Sequence, residues 1–225
     1  MEKNIYHGSE YVIEEPLFGK GNRRNDFGKG FYCTENIELA KEWACARKKS
    51  GFANAYRFED ADLNILYLQE KPYTILHWLA LLAENRTYWQ KSSIAEQAKE
   101  YLRKEFLINT DGYDVIIGYR ADDSYFTFAQ EFISGVISLQ KLREAMMLGK
   151  LGEQIVVKSQ RAFQRLQFIG AETAPEEIYF TKKAERDQAA KAEYRNIRKA
   201  ADSIEDLFML DILREEVKPD DPRLQ

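Results

Sequence analysis

Few residues in this chain could do chemistry, and their spacing removes most options. Two histidines and two cysteines could in principle hold zinc, but eleven residues separate Cys33 from Cys45, and His7 and His77 are far from both and from each other. No pair has chelating spacing. The cysteines read as small core residues, and a Cys33–His7 nucleophilic pair stays open because adjacent strands could unite them. The glycine-rich stretches fail both phosphate-binding tests. Gly28-Lys29 is followed by Gly30 with Arg23 where a P-loop has its first glycine, and Gly19-x-Gly21 meets Arg24 at the third Rossmann glycine. What remains is a constellation: His7-Gly8-Ser9, then Tyr32 in GKGFY, then Glu153 in LGEQIVV. Beside it lies a basic patch of Lys20, Arg23, Arg24 and Lys29, with no acid between Glu15 and Asp26.

Strands and one helix are expected to position these residues. NIYH (4–7) reads as a strand ending in a Gly-Ser turn, followed by a loop from Glu10 to about Gly28. GKGFYCT (28–34) reads as a second strand. Thr34 or Asn36 then caps a helix running to about Lys49, with Glu35 and Glu38 favourable against its N-terminal dipole. AYRFE (55–59) and LNILYL (63–68) look like a hairpin, and Tyr73–Phe106 changes to helical periodicity. GYDVIIGY (112–119) is nearly all apolar, as a strand buried on both faces is. Helices are expected at about 126–134 and 139–148, broken around Gly135, with Gly149 as a C-terminal cap. EQIVVK (153–158), LQFIG (166–170) and EIYF (177–180) supply three late strands. The 120–125 segment reads as a helix start or as a loop reaching a cleft.

HGS, then DFGKGFYCT with a following helix, then LGEQIVV resembles the His-Tyr-Glu branch of the ADP-ribosyltransferases, which includes diphtheria toxin and the poly(ADP-ribose) polymerases. The polymerases carry G-K-G-[IV]-Y with a second aromatic eleven residues later, and here that residue is Trp43. The chain is also similar to bacterial proteins of the same clan that share YHGS and DFGKGFY. The resemblance implies NAD as co-substrate, with nicotinamide released through an oxocarbenium-like transition state. It implies that His7 bonds the adenosine ribose, the Gly8 backbone holds the carboxamide, Tyr32 and Trp43 sandwich the ring, and Glu153 stabilises the cation. Ser9, Gly30 and Gln154 complete the expected NAD-binding set, and charge alone adds Arg23 and Arg24 for the pyrophosphate. Two departures stand in the sequence: Ala40 replaces a helical serine, and a one-residue register shift would put Gln154 in the glutamate's place.

The resemblance thus implies an α+β fold: a split, mostly antiparallel two-sheet domain over 1–182, with a helical insert at about 73–106 and a helical C-terminal extension at 183–225. The activity it implies is mono-ADP-ribosyl transfer to a macromolecular acceptor, a protein by first expectation, in a toxin of a toxin–antitoxin or phage-conflict system. A degenerate nucleotide pocket and a nucleic-acid-binding module are the rivals. Composition sets the bounds. With 44% hydrophobic and 31% charged residues the chain is not a disordered one. Its net charge of −4 gives no global pull toward nucleic acid or anionic membrane. The longest apolar run, Ile75–Ala83, is far short of the roughly 20 residues that span a bilayer. MEKNIYHG has no apolar signal core, so a cytoplasmic location is expected. After Thr181 a seam of Ala190, Tyr194, Ile197, Ala201, Ile204 and Phe208 recurs at helical spacing, either packing on its own domain or offering a surface to an antitoxin or regulatory partner.

Overall fold

The computed structural model describes residues 2–86, 92–121, 123–150 and 152–224. Positions 87–91 of the expected insert, Asp122 of the 120–125 segment and Leu151 of the third motif lie outside them. The fold is α+β, with two sheets. One has the order β1(Glu2–Ser9)-β3(Gly51–Glu59)-β7(Leu166–Ala174) and is antiparallel throughout. The other runs β2(Phe31–Cys33)-β6(Glu153–Val157)-β5(Val115–Tyr119)-β4(Ile65–Tyr67), with β4 and β5 parallel. A bridge of two backbone hydrogen bonds between Tyr6 and Thr34, at 2.8 and 3.0 Å, ties β1 to β2 and joins the sheets at one corner.

Period-two alternation sorts the side chains between two cores. Ile5, Phe31, Cys33, Tyr56, Phe58, Ile117, Ile155 and Val157 fill the space between the sheets. The opposite face of the second sheet, through Ile116 and Val156, meets a larger core built by helices. These are α2(Ile75–Asn85), α3(Ser93–Glu105), α4(Asp123–Ile133), α5(Leu139–Met146) and α8(Met209–Arg214). The Asn36 side chain caps α1(Ile37–Ala44), accepting from the Glu38 and Leu39 amides, and α1 packs on β1 and β3. It stops at Ala44 rather than Lys49, because Lys48 turns the chain with φ 57° ahead of β3.

Two expectations are corrected. Residues 55–59 and 63–68 form no hairpin: β3 joins the first sheet, and β4 lies parallel to β5 in the second. Parallel neighbours need a long crossover, and the helical stretch expected as an insert, α2 and α3, lies in that connection. After the short α6(Gln160–Phe163), EIYF is not a strand but the start of α7(Glu176–Lys199), where Pro175 and the acidic first turn of Glu176 and Glu177 favour a helix. α7 therefore runs across the expected 182/183 boundary. In the tail, Ala190 and Tyr194 are buried, with Tyr194 stacked on Phe128 at 3.9 Å, and Leu207, Met209, Ile212, Val217 and Leu224 join the helical core. Of the expected seam, Ala190 and Tyr194 pack on the chain's own domain, Ile197 and Phe208 are half-buried, and Ala201 and Ile204, beyond the end of α7, are exposed. No helix among the described residues is long and apolar enough to cross a membrane.

Candidate functional site

The bridged corner of the two sheets opens into a cleft of about 220 Å³. His7 and Gly8 enter it from β1, Tyr32 from β2, Trp43 from α1 and Gln154 from β6; Asn25, Asp26, Arg86, Arg120 and Ala121 close it. Residues from the three expected motifs, far apart in sequence, therefore meet.

His7 Nδ1 lies 2.7 Å from the Tyr32 carbonyl, so it carries the proton and leaves Nε2 as the acceptor; the ring stacks on Phe31 with centroids 4.3 Å apart. Burial outweighs that carbonyl and holds the imidazole below its ordinary value of 6.5, hence neutral at neutral pH. The Tyr32 hydroxyl donates to the Gly28 carbonyl at 2.6 Å and accepts from the Phe27 amide at 3.0 Å. Burial pushes its pKa far up, so it clamps the 26–30 loop as a neutral group. Gly8 is required by close approach: a Cβ there would lie 2.0 Å from the Ala40 carbonyl oxygen and 2.8 Å from the Ala44 nitrogen of α1. The Arg120 guanidinium lies 3.4 Å over the Trp43 ring, and the buried Trp43 indole N–H has no hydrogen-bond partner among the described residues.

β6 decides which carboxamide or carboxylate faces the cleft. Successive strand residues point to opposite faces, so with Gln154 in the cleft, Glu153 lies on the other side. Glu153 lines a separate pocket with Lys3, Glu35, Asn36 and Tyr67, where burial and then the Glu35 charge raise its pKa. The expectation of Glu153 beside His7 and Tyr32 is therefore corrected: the one-residue alternative, Gln154, holds that place.

The carboxylate of the cleft is Asp26, only 3% exposed. It accepts from Gln154 Nε2 at 3.0 Å and from the Ala121 amide at 3.1 Å, and pairs with the Arg86 guanidinium at 2.5 Å. Gln154 Nε2 also reaches the Tyr119 carbonyl at 3.5 Å, which leaves Oε1 as its acceptor end. Sequence reasoning gave Asp26 no role, although it opens DFGKGFY, and missed Arg86; Arg120 falls in the segment read as a possible cleft loop.

Other expected site residues lie elsewhere. Ser9 donates to the Tyr11 carbonyl and accepts from Asn54, shaping the loop after β1. Arg23 and Arg24 are exposed and do not line the cleft. Gly30 packs over β6, where a Cβ would meet Val156 Cγ1 at 2.4 Å. Cys33 is buried between the sheets, and burial raises its thiol pKa well above the ordinary value, so it makes no nucleophile with His7. His77 caps α2, its Nδ1 accepting from the Thr74 amide at 3.0 Å. Among the described residues no cluster of three His, Cys, Asp or Glu could hold a metal.

Residues 3–168 match the family described as "Protein of unknown function (DUF3990)". The chain belongs to that family. The match takes in every cleft residue and ends inside β7, so α7 and the C-terminal segment lie beyond it. No curated protein and no solved structure matches the chain.

Proposed function

We propose that the cleft receives the nicotinamide-ribose end of NAD and that the chain is an ADP-ribosyltransferase related to the His-Tyr-Glu branch, on that branch's split two-sheet fold but with Gln154 where the branch has its glutamate, acting on a macromolecular acceptor. The observation that carries this reading is the convergence of His7, Gly8, Tyr32 and Trp43 from β1, β2 and α1 in one cleft. The residues suit such a group. Two aromatic rings, a neutral histidine with a free acceptor nitrogen and an unpartnered indole N–H match a polar aromatic ring bearing a ribose. At about 220 Å³ the cleft takes that end and not the whole dinucleotide.

NAD supplies a ribose carbon whose bond to nicotinamide breaks with positive charge developing on the sugar. His7 Nε2 and Gln154 Oε1 are the acceptors for ribose hydroxyls, and Asp26 and the Tyr119 carbonyl fix Gln154 by each accepting from its Nε2. Arg120 must leave the face of Trp43 before a ring can stack there. A second reading, NAD binding without turnover, is favoured by one observation: the cleft offers neutral Gln154, and the charge of Asp26 is offset by Arg86.

The experiment is nicotinamide release from NAD by the purified chain, with and without host lysate, beside Gln154→Ala and Glu153→Gln, with NAD affinity by calorimetry. Release that survives Glu153→Gln and fails in Gln154→Ala supports transfer. Binding without release selects the second reading, and no NAD binding overturns both.

A further inference from the structure

A cavity of about 970 Å³ lies outside the cleft. It is a groove on the far side of the same loop. Gln154 and Val156 point to one face of β6, and Lys158, just past its end, continues that face, spanning about 13 Å at the usual rise per strand residue. The 26–30 loop crosses that face between them: Asp26 bonds Gln154, while a Cβ on Gly30 would touch Val156 and, at 3.6 Å, Lys158 Cγ. The cleft lies on the Gln154 side and the groove on the Lys158 side, where Lys158 Nζ donates to Thr110 Oγ1 at 2.7 Å.

Lys29 lines the near wall, the other charged lining residues being Arg103, which pairs with Glu84, and Lys158 and Asp111, while Lys20, Arg23 and Arg24 extend the charge along the loop outside the groove. Residues 19–21 fold back on 28–30: Lys29 Nζ donates to the Gly19 carbonyl at 3.3 Å, and Gly21 lies so close to Gly30 that a Cβ would meet its carbonyl oxygen at 2.4 Å. Lys20, Arg23, Arg24 and Lys29 project from this double-backed loop, all exposed and none in an ion pair with a described residue. The acid of the loop, Asp26, is already committed to Arg86. In a chain of net charge −4, the loop is a local cationic strip beside a groove.

The rim is aromatic. Phe18, 54% exposed, stands edge-on to Phe163 with ring centroids 5.5 Å apart, and Tyr113 lines the opposite wall. Exposed cations on one loop and an exposed aromatic ring beside it are the two components of single-strand nucleic-acid binding: cations track the phosphates and rings stack the bases. A duplex keeps its bases stacked on one another and offers none to Phe18. An apolar peptide would use the rings and leave the four cations idle.

We propose that this groove and its basic loop bind a single-stranded nucleic acid, with phosphates on Lys20, Arg23, Arg24 and Lys29 and a base against Phe18. The inference rests on the groove alone and stands or falls separately from the NAD reading.

The test is fluorescence anisotropy of the full chain with labelled single strands of about 12 nucleotides, as RNA and as DNA, and with the matching duplex. Four engaged cations give a slope of log affinity against log salt near −2.8, a loss of about 50-fold between about 50 and 200 mM salt. The double substitution Arg23→Gln and Arg24→Gln removes about half of that slope. Phe18→Ala weakens single-strand binding about 10-fold without changing the slope. The RNA and DNA arms separate the two sources of strand, and tighter binding of either one supports the proposal. No single-strand binding at low salt, equal affinity for the duplex, equal competition by poly-glutamate, or variants that bind as the parent does each overturn it. All three substituted side chains are exposed, so unchanged circular-dichroism melting confirms that the variants are folded.

Discussion

Asp26→Asn is the sharpest perturbation of the cleft. One carboxylate oxygen, Oδ2, accepts from Gln154 and Ala121 at 3.0 and 3.1 Å, the other, Oδ1, lies 2.5 Å from the Arg86 guanidinium as an ion pair, and the group is almost wholly buried. Asparagine keeps the shape but has one acceptor oxygen, and it sets an NH2 against a donor. The Arg86 side chain, 27% exposed, is left without its counter-charge while still donating to the Ala121 carbonyl at 2.9 Å. Charged hydrogen bonds contribute about 1.5–3 kcal/mol each, and orphaning one half of a buried pair costs about 3–5 kcal/mol. Arg86 retains some water, so the lower end applies, and a loss of about 3 kcal/mol is expected. For a chain of this size that lowers Tm by about 6–12 °C. Urea unfolding followed by far-UV circular dichroism measures it, with Arg86→Met and the double substitution completing a cycle. Removing the orphaned charge should recover much of the loss, giving a coupling of about 2 kcal/mol. A loss under about 1 kcal/mol, or strict additivity with Arg86→Met, would refute the argument that the pair organises the cleft.

Four further outcomes are expected. Burial holds both His7 and His77 below 6.5, so the unfolded chain takes up protons first as pH falls. Their contribution is intact above about pH 6.5 and is lost on acidification through the folded-state values; His7→Gln should flatten part of the fall in urea midpoint, and a midpoint that rises on acidification contradicts the assignment. Gly8→Ala drives a Cβ to within 2.0 Å of the Ala40 carbonyl oxygen, so β1 and α1 must part at a cost of about 1–3 kcal/mol or more, and an unchanged Tm would show that the contact yields. Deleting 183–225 strips Ala190, Tyr194, Met209 and Ile212 from the helical core, so the cooperative thermal transition should be lost rather than only a partner's binding. Tyr32→Phe keeps the ring and removes the clamp on Phe27 and Gly28; about 1–2 kcal/mol of stability should go with it, and no loss would mean the loop holds itself.

Much of this was legible in the sequence because it is local. Asn36 as a cap, the doubly buried strand at 115–119 and the breaks at Gly135 and Gly149 follow from capping chemistry, apolar runs and positive φ. Pairing partners were not legible. A short segment such as 65–67 carries no mark of whether its neighbour is the strand just before it or a parallel one beyond two helices. EIYF reads as a strand because three apolar residues in a row suit a buried one, whereas Pro175 and the acidic turn of Glu176 and Glu177 start a helix there. The cleft was legible to the level of motifs: of the residues expected there, His7, Gly8, Tyr32, Trp43 and Gln154 line it. The Glu153–Gln154 choice could not be read, since both residues precede the same apolar strand and only the register with β2 and β5 decides which face each takes.

Asp26 shows why a buried charge hides in a sequence. Read locally, it is one acid before a glycine turn. Its role comes from donors supplied by positions 86, 121 and 154, which the crossover connection and the β5–β6 pairing bring to it. The same loop, held by the Tyr32 hydroxyl and pressed onto β6 at Gly30, forms the shared wall of the cleft and the groove. Its backbone contacts leave it little room to move one wall without the other: Gly28 has φ 75°, and a Cβ there would meet Asn85 Oδ1 at 2.9 Å, while Asn85 itself donates to the Asp26 carbonyl. The glycines of DFGKGFY are therefore needed for close approach to α2 and β6 rather than for cradling a phosphate. That accounts for a glycine-rich stretch which fits neither phosphate-binding pattern.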